Sequence, residues 1–252
     1  MPSAAPGWFQ QLNPLTKLTL AGTLLGLAYI GPGRHLALGL FLLGVVPLSL
    51  SAGVARPVLK VSYQLGLPAG AMLFFFQGLV YPGAHTVVWA LGPLAFKAEG
   101  LWYAYQLTTR LLVMAGAIAL LLHTTPPGDL MTVLEQKGMP SGPAYVLVAS
   151  LQVIPETRDR AASIVAAQRA RGLRTGGNLL QRSRALLPLL TPLIFGALLM
   201  AGERALALDA RGFNSGLRPV PWKKIPDSRG QQAARWLCLA LFAAAGVSRL
   251  WL

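Results

Sequence analysis

The sequence predicts an all-α integral membrane protein of about five transmembrane helices, with a cytoplasmic domain of long surface helices and a short external hairpin. Three observations carry that prediction. Of 252 residues, 54% are apolar and 12% charged, with a mean hydropathy of +0.53, which is too apolar for an ordinary soluble domain. The ionisable side chains leave uncharged runs long enough to enter hydrocarbon. The charges themselves are unevenly placed: all eight carboxylates lie beyond residue 98, while 14 of the 22 Lys and Arg fall between His123 and Gln231.

The uncharged runs are Leu18 to Gly33 (16 residues), His35 to Ala55 (21), Val61 to Phe96 (36) and Leu111 to Gly128 (18), followed by Gly138 to Pro155 (18), Ala185 to Gly202 (18) and Trp236 to Ser248 (13). A spanning helix needs about 20 mostly apolar residues. The first span is expected from about Leu15 to Ile30, ended by Gly31-Pro32-Gly33, a turn that cannot continue a helix. No cation precedes Lys17 and no small-residue cleavage pattern follows, so this span is expected to remain in place. The second runs from about Leu36 to Leu50, and Arg56 and Lys60 after it favour a cytoplasmic N-terminus. Pro82-Gly83 divides the 36-residue run into a third span, about Leu65 to Tyr81, and an external excursion. There Thr86-Val87-Val88-Trp89 and Leu94-Ala95-Phe96 flank Gly92-Pro93, the pattern of a β-hairpin. The fourth span is expected from about Leu101 to Leu122. Arg110 lies inside it, where a charge must snorkel, pair or line a polar interface.

The basic block from His123 to Gln231 holds seven carboxylates against its 14 cations, so the positive-inside rule assigns it to the cytoplasm. Two uncharged 18-residue runs lie inside this block. If both crossed, Arg158, Arg160, Arg169, Arg171, Arg174, Arg182 and Arg184 would be exported. The expectation is therefore that neither crosses, and that both form long helices at the cytoplasmic surface. Pro140, Pro143, Pro155, Pro188 and Pro192 suit kinked, packed helices. The domains expected are residues 1–123 with four transmembrane helices, 124–231 as the cytoplasmic domain, and 232–252 as a final transmembrane helix.

Both long helices end alike. Ala167-Gln168-Arg169-Ala170-Arg171-Gly172-Leu173 aligns with Ala207-Leu208-Asp209-Ala210-Arg211-Gly212-Phe213, forty residues on. Glycine suits a helix C-terminus, where a left-handed residue closes the last turn, and the small Ala170 and Ala210 allow close approach. Arg171 and Arg211 then project a fixed fork of donors able to clamp a carboxylate or backbone carbonyls on another protein.

Several function classes are excluded or disfavoured. The net charge of +14 belongs to a membrane protein's interfaces, so no nucleic-acid partner is expected. The first three spans carry no carboxylate, which counts against ion-coupled transport. Cys238 stands alone and His35, His85 and His123 are scattered without ligand spacing, so no metal site and no cofactor are predicted. A membrane-embedded enzyme would want a nucleophile or ligand set beside His123 and Asp129 or Glu203 and Asp209, and none is there. No catalytic residue is assigned. A basic module on anionic lipid would not need two identical helix ends.

These residues resemble the transmembrane T component of energy-coupling factor transporters, the EcfT/CbiQ family, over nearly the whole chain. The resemblance runs through Asn13-Pro14-Leu15-Thr16-Lys17-Leu18, Gly92-Pro93, Glu99-Gly100-Leu101, Thr124-Thr125-Pro126-Pro127, Met139-Pro140, Ile154-Pro155 and the paired Ala-Arg-Gly triplets. Leu15 stands where that family often has Arg. The resemblance implies a non-catalytic scaffold in the cell membrane of a bacterium or archaeon. Such a scaffold would join a substrate-binding S component to two ABC-type ATPases, for uptake of a vitamin or a transition-metal ion. Arg171 and Arg211 would dock into the two ATPases, Ala170, Gly172, Ala210 and Gly212 would shape those ends, and residues 124–231 would be the coupling domain. The chain has no Gly-x-x-x-x-Gly-Lys-Ser/Thr phosphate loop, so ATP hydrolysis is expected of a partner. The alternative, a permease of a conventional ABC importer, would carry Glu-Ala-Ala in its coupling loop, where this chain has Val165-Ala166-Ala167.

Overall fold

The computed structural model describes residues 8–31, 33–82, 86–91, 94–173, 179–213, 215 and 225–250. A 3-10 turn, Trp8–Gln11, leads into α1, Pro14–Ile30. Next come α2, Leu36–Gly39, and α3, Val46–Ser51, the ends of one helix whose middle, Leu40–Val45, winds as a π-helix. That widening sits just before Pro47, whose missing N–H interrupts the usual ladder. Then follow α4, Ala55–Val80, strands β1, Val87–Leu91, and β2, Leu94–Lys97, and helices α5, Ala98–Thr124, and α6, Pro127–Gln136. The two longest are α7, Ser141–Ala170, and α8, Leu179–Ala210, and α9, Arg229–Leu250, closes the chain.

The all-α character is as expected, and the strands pair antiparallel as the hairpin the sequence predicts. Gly92-Pro93 at its tip lies outside the described residues. Helix α4 starts well before the expected Leu65 and takes in Arg56 and Lys60, because an uncharged run marks what fits hydrocarbon rather than where a helix begins. By length and composition, three of the described helices could cross a membrane: Ala55–Val80, Ala98–Thr124 and Pro188–Ala210. Pro14–Ile30 and Leu36–Ser51 are shorter apolar helices. The segment Pro188–Ala210, expected to lie on the surface, is thus long enough to span. Helix α9, expected to span, is not among the three, since Arg229, Arg235 and Arg249 leave it a short uncharged centre.

The described chain divides into two compact units, Met1–Val133 with Ile225–Leu252, and Leu134–Lys224. In the first, α4 and α5 pack antiparallel through small residues. A Cβ at Gly70 would come within 2.8 Å of Thr108, one at Gly66 would overlap Leu112, and one at Gly100 would overlap the Gln77 carbonyl oxygen. Small residues let the backbones approach, the main source of helix association where solvent offers no hydrophobic drive. Buried hydroxyls are satisfied on their own helices: Ser62 donates to Val58 O and Thr109 to Tyr105 O. Around α5 sits a core that includes Phe41, Val45, Val58, Val113 and Leu120.

One end of this unit is tied by a buried cation. Asn13 caps α1 by accepting from the Leu15 N–H at 3.0 Å, and its own N–H donates to Gln231 Oε1 of α9, also at 3.0 Å. One turn along, Lys17 is only 3% exposed. Its Nζ donates to Gln10 O and Thr124 O, each at 2.8 Å, and lies 5.7 Å from the centre of the Phe9 ring. Thr124 is the last residue of α5, so the ammonium sits on unpaired carbonyls at the negative end of a helix dipole.

Three outcomes follow for this unit. Gly100→Val should lower the melting temperature of the detergent-solubilised protein, with a loss of about 1–3 kcal/mol from overpacking against backbone. Gly22→Ala in α1, where a new Cβ meets nothing within 4 Å, should be neutral or slightly stabilising. Lys17→Met should cost on the order of 1–3 kcal/mol by the same assay, because it removes the donor from the buried Thr124 carbonyl and from the part-buried Gln10 carbonyl.

Candidate functional site

The repeated triplets form two helix ends of the same construction. In α7, Ala170 is the last helical residue, Arg171 is the cap at φ −83°, and Gly172 turns to φ +92°. Gly172 N–H donates to Arg169 O at 3.0 Å and Leu173 N–H to Gln168 O at 2.9 Å. In α8, Ala210 is again the last helical residue and Gly212 takes φ +73°. Gly212 N–H donates to Asp209 O at 2.9 Å and Phe213 N–H to Leu208 O at 3.1 Å. This is the two-bond Schellman closure, in which the left-handed residue brings the next N–H back to the carbonyl five residues earlier. A Cβ at that residue would be strained, so glycine is required twice.

The closure has a chemical consequence. Because backbone N–H groups satisfy the last carbonyls, neither arginine is needed to cap its own helix. Arg171 and Arg211 are exposed, and Ala170 and Ala210 beside them add no bulk. Each end therefore presents a guanidinium on a rigid stem, suited to bidentate hydrogen bonding with an acidic or carbonyl-lined groove.

Helices α7 and α8 pack antiparallel. Tyr145 meets Phe213 with ring centres 5.5 Å apart, Arg204 binds Glu156, and Arg160 Nη2 lies 3.2 Å from Met200 Sδ. Farther along, a crevice of about 420 Å³ is lined by Ser163 and Ile164 on one helix and Pro192 and Leu193 on the other. Arg211 is thus level with the first turns of α7, and Arg171 is at the far end of that helix. At about 1.5 Å of rise per residue the two tips stand roughly 35–40 Å apart. Sequence reading found both tips and missed this spacing, because periodicity says nothing about which residues of two helices face each other.

The remaining polar residue predicted inside a span finds a partner in the backbone. Arg110 Nε donates to Ala28 O at 3.0 Å, and its guanidinium lies 5.6 Å from the centre of the Tyr29 ring. Arg249 Nη1 donates to Tyr29 O at 2.9 Å. Two arginines therefore close the C-terminus of α1. Nearby, Arg34 stacks over Trp102 at 5.9 Å and His35 Nδ1 bonds Tyr105 Oη at 2.9 Å, a mix of aromatic and cationic groups that suits a membrane–water boundary. Among the described residues no three His, Cys, Asp or Glu side chains converge on a metal position.

Two sets of contact residues went unrecognised in the sequence. Lys17 and Thr124 carried a signal only as parts of the Asn-Pro and Thr-Thr-Pro-Pro blocks. Glu156 carried none beyond its place after Pro155.

Comparison with known proteins gives the family. Residues 6–221 match the CbiQ family, described as cobalt transport protein. The chain is 30% identical over 200 residues to the energy-coupling factor transporter transmembrane protein EcfT of Limosilactobacillus fermentum, covering 74% of this chain and 71% of that protein. It is 31% identical over 223 residues to the protein of the same name from Lactococcus lactis subsp. cremoris, covering 82% and 80%. A putative ABC transporter ATP-binding protein of Bifidobacterium longum is 34% identical over 151 residues, 56% of this chain and 19% of that protein. With matched helix ends, apolar helices and a family match over most of its length, the chain belongs to the EcfT/CbiQ family of energy-coupling factor transporter transmembrane proteins.

Proposed function

We infer that this chain is the energy-coupling scaffold of an importer driven by ABC-type ATPases. It joins a membrane-embedded S component, which binds a vitamin or a transition-metal ion, to two cytoplasmic ATPases. The observation that carries this reading is the pair of like-built, outward-facing arginine tips at opposite ends of an antiparallel helix pair. Two equivalent tips suit two equivalent partners. The same reading draws support from the Bifidobacterium longum relative, an ATP-binding protein by name that contains a stretch similar to this chain.

The chain itself contributes no chemistry in this reading. Arg171 and Arg211 supply charge-assisted hydrogen bonds to the ATPases, and Gly172 and Gly212 fix the direction in which each guanidinium leaves its helix. The packed helix pair then carries a displacement of an ATPase to whatever packs on its apolar faces. Val146, Leu151 and Ile154 on α7 and Ile194, Phe195 and Leu198 on α8 are exposed, and these faces suit the S component. The reading keeps α7 and α8 at the cytoplasmic side, because their crossing would carry the arginines between them to the wrong face.

Two measurements test the proposal. Replacing Arg171 and Arg211 together with Ala should leave the protein in the membrane while weakening ATPase binding at least about 100-fold, since each charged tip is worth about 2 kcal/mol. Undiminished co-purification with the ATPases would remove the docking role. In a Cys238→Ser background, a cysteine replacing Gly176, which lies outside the described residues, should react with an impermeant maleimide only from the cytoplasmic side. Labelling from outside would overturn the surface placement.

A further inference from the structure

Glu156 is the carboxylate that joins the two long helices between their tips. Its Oε2 accepts from Arg204 Nη2 of α8 at 2.5 Å, and its Oε1 from Arg160 Nη2, one turn along α7, at 3.3 Å. Arg160 reaches across in turn to Met200 Sδ of α8. The cluster holds one acid against two guanidinium groups, so the acid is the member that neither arginine can replace.

Its position matters more than its strength. The Glu156 side chain is 36% exposed and that of Arg204 34%, and an ion pair so open to solvent adds little to stability. Pro155 immediately precedes Glu156 within α7, and Pro188 and Pro192 interrupt α8. Each proline removes a ladder hydrogen bond and leaves its helix easier to bend there than elsewhere. The ion pair bridges the helices beside one of these soft points. Arg171 lies about 23 Å farther along α7, so a change of about 15° in the bend at Pro155 displaces it by roughly 6 Å. A shift of that size is twice a hydrogen-bond length.

We propose that Glu156 is a positioning residue: by holding Arg204 beside Pro155, it fixes the separation of Arg171 and Arg211 at the value that lets both tips engage their partners at once. This rests on the docking role given above and adds the residue that sets its geometry. Bivalent binding gains over single contacts only when the spacing of the two ends matches that of their sites. A chain with loosened spacing still binds by one tip at a time.

The test uses the full chain in nanodiscs, with Cys238→Ser and spin labels on cysteines replacing Ala166 and Leu206, both exposed. Electron–electron double resonance should give a narrow distance distribution for the parent chain. Glu156→Gln should broaden or shift it by about 5 Å or more, while the melting temperature stays the same. Apparent affinity for the ABC ATPase pair of the same organism should fall about 3- to 5-fold, the shift that an exposed ion pair of up to about 1 kcal/mol can hold back. Glu156→Lys combined with Arg204→Glu should restore both readings, since opposite charges face each other again. An unchanged distance distribution in Glu156→Gln overturns the proposal, as does a changed distribution with undiminished affinity. Failure of the docking role is recognised separately: the Arg171→Ala, Arg211→Ala chain would then bind the ATPases as well as the parent, whatever Glu156 does.

Discussion

Cations resting on the carbonyl ends of helices organise this fold. The first 98 residues contain Lys and Arg but no carboxylate, and backbone carbonyls help to hold cations in this unit. Lys17 settles on the last carbonyl of α5, and Arg110 and Arg249 settle on the last carbonyls of α1. Each contact satisfies an acceptor the helix cannot satisfy itself and places positive charge at the negative end of the peptide dipoles. The bonds also join elements far apart in the chain, so one interaction type fixes both ends of α1.

The second unit applies the opposite solution at its helix ends, and the contrast suggests why its arginines are available. Left-handed glycines let the backbone close α7 and α8 by itself. An arginine used as a cap is committed to its own molecule. An arginine next to a self-closed end is free to serve another. The difference between Arg110 and Arg171 is therefore one of local backbone closure rather than side-chain chemistry.

Much of this was legible in the sequence. Uncharged runs marked the helices α1 to α5, Gly92-Pro93 between Thr86-Val87-Val88-Trp89 and Leu94-Ala95-Phe96 marked the hairpin, and the motif recurring after forty residues marked the two arginine tips. What stayed hidden were relations between elements. The early start of α4 escaped because Arg56 and Lys60 end a hydrophobic run without ending a helix. Lys17 is only the first cation of the chain until Thr124 and Gln10 are brought to it. The Glu156 to Arg204 pair joins residues 48 apart, and only the antiparallel register of α7 and α8 reveals it. Composition puts Pro188–Ala210 among possible spans, while the cations flanking it are the ground for expecting it at the surface, since the two criteria weigh different properties of the same residues.

The straight run of helix between Glu156 and the end of α7 also limits how this protein can change over evolution. Inserting one residue there turns everything beyond it by about 100° and advances it by about 1.5 Å, so Arg171 would point to a new side of the helix. Loss or gain of single residues, harmless in a surface loop, would misdirect the tip. Lineages diverging from this chain should therefore keep that segment constant in length while its side chains drift, and confine their insertions to the connection between α7 and α8.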